Sequence, residues 1–313
     1  MIARARPPLA DRIYRGFITL SAAFVPALLV ALTVVIVRAA APAIGAHGSD
    51  LLFGQVWDVS HGRFGALPAI IGTLLSSILA LALATPLALG AAIFVSELAP
   101  ARLRSPIAFL LDLLAAIPSV VYGLWGLLVL VPFLRAHVMP TLTSLAGIVP
   151  FVRGPAYGPS LLAASIVLAI MILPYIASVA REVLAAVPTS QRESALALGA
   201  THWEMIRDAV LPYARSGIIG GVMLGLGRAL GETMAVTMVI GNRAEIPGSL
   251  LDPAYTMAAL LANEFAEASD EAHLAALMAV AGLLLLVTLA VNVLARWLVA
   301  GVRRADAPRE STA

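Results

Sequence analysis

The sequence predicts an all-α, polytopic integral membrane protein with six transmembrane helices, and two observations carry that prediction. Of its 313 residues 61% are hydrophobic and 12% charged, with a mean hydropathy of +0.96, far outside the range of a soluble globular domain. The apolar residues also gather in six runs of about 20 residues or more, long enough for a helix to cross a bilayer. A helix satisfies its own backbone polar groups where lipid cannot, so such runs read as spans.

Residues 1–16 are polar and carry Arg4, Arg6, Arg12 and Arg15. The first run is 17–37. Small residues at 39–41 have the form of a signal-peptide cleavage site, but the apolar core exceeds the ~7–15 residues usual there and Arg38 interrupts the junction, so a retained span is expected. Residues 41–66 read as a polar outer loop around Trp57. The second run, 67–98, contains Pro86, an expected kink. After a loop holding Arg102 and Arg104, a third span is expected over 107–132, broken by Pro118, Gly123 and Gly126. Residues 133–158 are mixed and proline-rich; a half-inserted and an interfacial segment both fit. The remaining spans are expected at 160–180, 216–241 and 273–300, separated by a polar stretch at 181–215 and a mostly acidic loop at 242–272. The chain therefore divides into an N-terminal segment (1–16), a first helix with its outer loop (17–66), a five-helix core (67–300) and a tail (301–313).

Arginine supplies all twenty basic residues. Fourteen fall on the side holding both termini and the 99–106 and 181–215 loops, five fall on the other side, and Arg228 lies within a span. The positive-inside rule places the termini and the 181–215 stretch in the cytoplasm. Without lysine the chain cannot build a Walker A site or a Schiff base, so any coupled ATP hydrolysis belongs to another polypeptide. Without cysteine it has no disulfide or thiolate metal site, and its five histidines lack ligand spacing. No metal, cofactor or nucleic-acid partner is expected. Asp112 has no intramembrane aspartate partner, which argues against a protease dyad.

The polar island at 190–212, SQRESALALGATHWEMIRDAVLP, is more specified than a connector requires. Ser190 with Glu193, and Thr201 with Glu204, each have capping-box spacing. Gly199 between them suits the left-handed end of a helix. Pro188 and Pro212 bracket the segment, so a short helix, a turn and a second helix closed by Pro212 are expected.

The fifth span, SGIIGGVMLGLGRALGETMAVTMVIG, carries Arg228 near its centre, where a charge costs about 2.5–3.5 kcal/mol on insertion scales. Glu232 follows four residues on, within pairing reach along a helix. Gly217, Gly221 and Gly225 extend the same stripe, a smooth face suited to close helix contact. The pair is then either a structural lock or part of a pathway; a guanidinium there suits bidentate contact with a tetrahedral oxyanion. Asp112 is expected to pair with Arg102 or Arg104, and Asn292 to hydrogen-bond between helices. Ser119 and Tyr122 flank Pro118, where core packing and cavity lining both fit.

The island resembles the cytoplasmic "EAA" loop of ATP-binding-cassette importer permeases, E-A-A-x(3)-G-x(9)-I-x-L-P. Glu193, Ala195, Gly199, Leu211 and Pro212 fall on the pattern, while Ser194 and Ala209 depart from it with small residues. LLAAIPSVVYGLWGLLVL at 113–130 and GLGRALGETMAV at 225–236 resemble the permeases of the phosphate-specific importer, the first being similar to the PstC type rather than its PstA-type partner. GTLLSSILALALATPLALGAAIFVSELAP at 72–100 and VLAIMILPYIASVARE at 167–182 extend the resemblance, which covers the chain from about residue 65 onward.

The resemblance implies a type I ABC importer permease architecture in a bacterial cytoplasmic membrane and no enzymatic activity of the chain itself. It also implies a homologous PstA-like second permease, two ATP-binding-cassette ATPase subunits and an extracytoplasmic phosphate-binding protein as partners. The island would be the coupling element that docks on an ATPase, and Arg228 and Glu232 would line the phosphate path. A permease for sulfate or molybdate, or an ion-coupled secondary transporter, stands as the alternative.

Overall fold

The computed structural model describes residues 9–144, 150–155 and 157–306. Six helical stretches are long and apolar enough to cross a membrane: Tyr14–His47, Leu67–Leu98, Ser119–Ser144, Leu161–Ala185, His202–Leu230 and Glu271–Trp297. The first is α1 (Leu9–His47), longer than its apolar run because Arg38 and the alanines after it continue the helix. A short α2 (Asp50–Phe53) and a hairpin of β1 (Trp57–Asp58) and β2 (Arg63–Phe64) follow. Part of the expected outer loop is therefore helix and hairpin.

The centre is built on α3 (Leu67–Ile93) and α8 (Leu161–Ala185). Ala80, Ala84 and Ala88 recur every fourth residue of α3, are fully buried, and pack in one cluster with Leu168, Ile172 and Ile176 of α8. Small residues in such a row let two backbones approach closely in a membrane. The start of α8 is capped by Ser160, whose hydroxyl accepts the Ala163 N–H at 3.3 Å.

The third span departs from expectation. α4 (Ala101–Ala116) ends at Ile117 and Pro118, both extended, and α5 (Ser119–Trp125) starts anew. The helix then runs through α6 (Val131–Phe133) to α7 (Met139–Ser144), past the proline expected to end it. Four π turns among the described residues explain this: Phe94–Leu98, Gly126–Leu130, Leu134–Val138 and Ile206–Val210 each end two residues before a proline. In each, the residue preceding the proline donates its N–H five residues back, as Val131 does to Gly126 O and Leu211 to Ile206 O. Proline offers no N–H and its ring crowds the carbonyl four residues earlier; a widened turn relieves both problems. Pro132, Pro140 and Pro212 thus sit inside continuing helices. Gly123 and Gly126 do not break the span either. A Cβ on Gly123 would stand 2.9 Å from Ala235 Cα, so this glycine admits the neighbouring helix.

After α9 (Thr189–Ala197), the fifth span comprises α10 (His202–Met205), the π turn and α11 (Leu211–Leu230), one helix of 29 residues. It stops short of expectation. The chain breaks at 231–233 and resumes as α12 (Met234–Val239). α13 (Met257–Glu264) lies within the expected acidic loop, and α14 (Glu271–Asp306) forms the last span beside α1. At the end of the bundle opposite the island, Glu264 accepts hydrogen bonds from Trp57 Nε1 at 2.8 Å and His273 Nε2 at 3.0 Å, pinning the hairpin to α13 and α14.

Candidate functional site

Two candidate sites lie on this architecture, and one helix joins them. The first surrounds Arg228, in the last turn of α11. The glycine stripe packs on α8 of the same chain: a Cβ on Gly217 would meet Val183, one on Gly221 would meet Val179 and one on Gly225 would meet Ile176. Continued one turn, the stripe sets the Arg228 guanidinium over the ring of Tyr175, 4.4 Å from its centroid. An open cavity of about 470 Å³ lies there, lined by Tyr175, Val179, Leu224, Gly227, Arg228, Gly231 and Glu232.

The structure brings Arg228 and Glu232 to one cavity but not into the expected ion pair. Glu232 lies within the break, and its Oε1 accepts the Ala235 N–H at 3.3 Å. The carboxylate serves the first turn of α12, where unpaired amides and the helix dipole favour negative charge. Arg228 Nε is buried without a hydrogen-bond partner. The ring covers one face of the guanidinium, and the N–H donors lie in its plane. A cation held this way keeps donors available for an anion.

The second site is the island. Gly199 adopts φ +86°, as the end of a helix requires, and Thr201 and Glu204 form the reciprocal capping box, with Thr201 N–H donating to Glu204 Oε2 at 2.8 Å and Glu204 N–H to Thr201 Oγ1 at 3.3 Å. The Ser190–Glu193 box does not form. Pro188, with ψ 141°, occupies the capping position and leaves Ser190 inside the first turn. Pro212 does not close the second helix, which runs on to Leu230.

Beneath the island, Met205, Ile206 and Val210 are fully buried against Leu184, Val187 and Ala92. Ala195 and Leu211 are half-buried on that cluster, whereas Glu193, Gly199 and Pro212 face outward. Leu198 is 90% exposed and Trp203 58% exposed, an apolar tip at the turn.

Sequence reasoning missed the anchor of this unit. Arg192 donates from Nη2 to Glu97 Oε1 at 2.7 Å and from Nε to Glu97 Oε2 at 3.2 Å, while its Nη atoms also reach the Leu184 and Val187 carbonyls. The pair ties α9 to the end of the second span and to the last turn of α8. The available signal was Glu97 itself, the one acidic residue between Asp58 and Asp112 in the sequence. Two further expectations are corrected. Asp112 faces Arg181 at 3.6 Å, since α4 packs on α8, while Arg104 instead donates to Ala99 O. Asn292 donates to Thr288 O of its own helix at 2.8 Å. Tyr122 is a core residue, 8% exposed, donating to Leu114 O.

The six-span bundle, with a half-buried arginine beside a helix break and a capped island at the start of the same helix, belongs to the class of transport permeases, as its relatives show. Residues 84–304 match the family of binding-protein-dependent transport system inner membrane components. The phosphate transport system permease protein PstC of Xylella fastidiosa strain Temecula1 is 43% identical over 305 residues, covering 96% of this chain and 94% of that protein. PstC of Mesorhizobium japonicum is 43% identical over 294 residues (93% and 90%), and that of Haemophilus influenzae 42% over 293 residues (92% and 93%). Two inward-facing crystal forms of the MetNI methionine ABC transporter share the fold, with TM-scores of 0.53 and 0.55 at 17% and 16% identity, covering 74% and 75% of this chain and 93% and 94% of theirs. The chain belongs to this inner membrane component family and, within it, to the PstC permeases.

Proposed function

We propose that this chain is one of two homologous permeases of an ATP-driven importer and that phosphate passes along the cavity at Arg228. The observation that carries this reading is a guanidinium without a carboxylate partner, open to a cavity and placed at the end of the helix that begins in the island. At 1.5 Å per residue the 29-residue helix is about 43 Å long, so a displacement at one end is felt at the other. The island lies in the cytoplasm, together with both termini, and its apolar tip docks on one of two ATP-binding-cassette ATPases. A PstA-like permease completes the path in the bacterial inner membrane, and an extracytoplasmic phosphate-binding protein delivers the ion.

ATP-driven closure of the ATPases moves the island as a rigid body about Gly199, and the long helix carries that motion to Arg228. Phosphate displaces water from the guanidinium edge and receives two parallel N–H bonds. Release requires that the site bind weakly enough to let go. Glu232 provides this by leaving the Ala235 N–H and competing for the arginine as phosphate moves on. The test is Arg228→Gln in the assembled importer. Phosphate uptake stops while the amount of membrane-inserted complex is unchanged; a complex that falls apart would assign Arg228 a structural role instead.

A further inference from the structure

We infer that Tyr175 is a positioning residue for Arg228, holding its guanidinium in the path by the ring face and tying that position to the break in the third span. The inference rests on the reading of the Arg228 cavity as the anion path. Its starting point is Pro118. In a continuous helix the Leu114 carbonyl would accept the N–H of residue 118, and proline has none. Leu114 O accepts the Ile117 N–H at 3.3 Å and, in place of the missing donor, the Tyr122 hydroxyl at 2.9 Å. The next carbonyl, Ala115 O, would accept the Ser119 N–H, but the extended backbone at Ile117 and Pro118 carries Ser119 into a new helix. Ala115 O takes the Tyr175 hydroxyl, 60 residues away in sequence, at 3.0 Å.

Tyr175 therefore has both ends engaged. Its hydroxyl is fixed to the broken end of α4, and its ring lies under Arg228 at 4.4 Å. The choice of group matters chemically. A carboxylate at this place would hold the arginine by consuming the N–H donors that an anion needs. An aromatic face attracts the cation through its π system and leaves the in-plane donors free. The tether also makes the arginine's position depend on α4. Movement of the Ala115 carbonyl shifts the ring, and the ring shifts the guanidinium.

The experiment compares Tyr175→Phe, Tyr175→Leu and Arg228→Gln in vesicles containing the importer assembled with its partner permease, ATPases and binding protein. The readout is phosphate moved per ATP hydrolysed, with complex yield measured alongside. Tyr175→Leu lowers that ratio about tenfold or more at unchanged complex yield and ATP hydrolysis, whereas Tyr175→Phe, which keeps the ring, lowers it about two- to threefold. If Arg228→Gln abolishes transport and Tyr175→Leu matches the wild type, the positioning role is overturned and the path reading stands. If Arg228→Gln transports normally, the path reading falls and the inference falls with it. A drop in complex yield shared by both Tyr175 variants overturns the inference in favour of simple packing.

Discussion

The island's anchor yields the most quantitative prediction. Arg192→Met keeps the aliphatic stem and removes the guanidinium that binds Glu97 and the carbonyls of Leu184 and Val187. The Glu97 side chain is 5% exposed and that of Arg192 19%, so solvent replaces little of what is lost. Breaking a buried pair from one side typically costs about 3–5 kcal/mol, because a charge is left uncompensated. At about 1.4 kcal/mol per tenfold, the detached state of the island becomes more populated by a factor of roughly 10² to 4 × 10³. Hydrogen exchange reads this directly: amides of residues 189–198 lose about two to three and a half orders of magnitude of protection, while amides of α14 keep theirs. A double variant, Glu97→Met with Arg192→Met, recovers most of the loss, since no charge then remains stranded. Protection reduced less than about threefold in the single variant would refute the claim that this pair holds the island to the bundle.

The turn and the cap give further tests. Gly199→Val meets no steric obstacle, since nothing lies within 4 Å of its Cβ, so its effect is the backbone strain of φ +86° alone, about 1–2 kcal/mol. Uptake falls while the binding protein still binds phosphate. Thr201→Ala removes an N-cap worth about 1 kcal/mol and speeds amide exchange at the start of α10.

Much of this architecture was legible because membrane spans, helix caps and left-handed glycines are governed by neighbours in sequence. Gly199 and the Thr201–Glu204 box formed as their spacing indicated. The Ser190–Glu193 box has equal spacing and failed, because Pro188 had already taken the capping position. Proline positions were visible, but their consequences were not. Pro118 broke a helix, whereas Pro132, Pro140 and Pro212 were absorbed by π turns. The pairing of Arg228 with Glu232 assumed an unbroken helix; Glu232 found a nearer task on the backbone of α12. Partners set by long-range packing were beyond local spacing. Glu97 meets Arg192 across 95 residues, and Tyr175 meets Ala115 across 60.

The central claim, ATP-driven movement of phosphate past Arg228, is tested most directly by transport in sealed vesicles. Vesicles carrying the full importer receive radiolabelled phosphate and the binding protein on one face and ATP on the island face. Phosphate accumulates only when ATP and the binding protein are both present, and unlabelled sulfate in excess does not compete. Accumulation that proceeds without ATP and follows an ion gradient, or that sulfate suppresses, would contradict it.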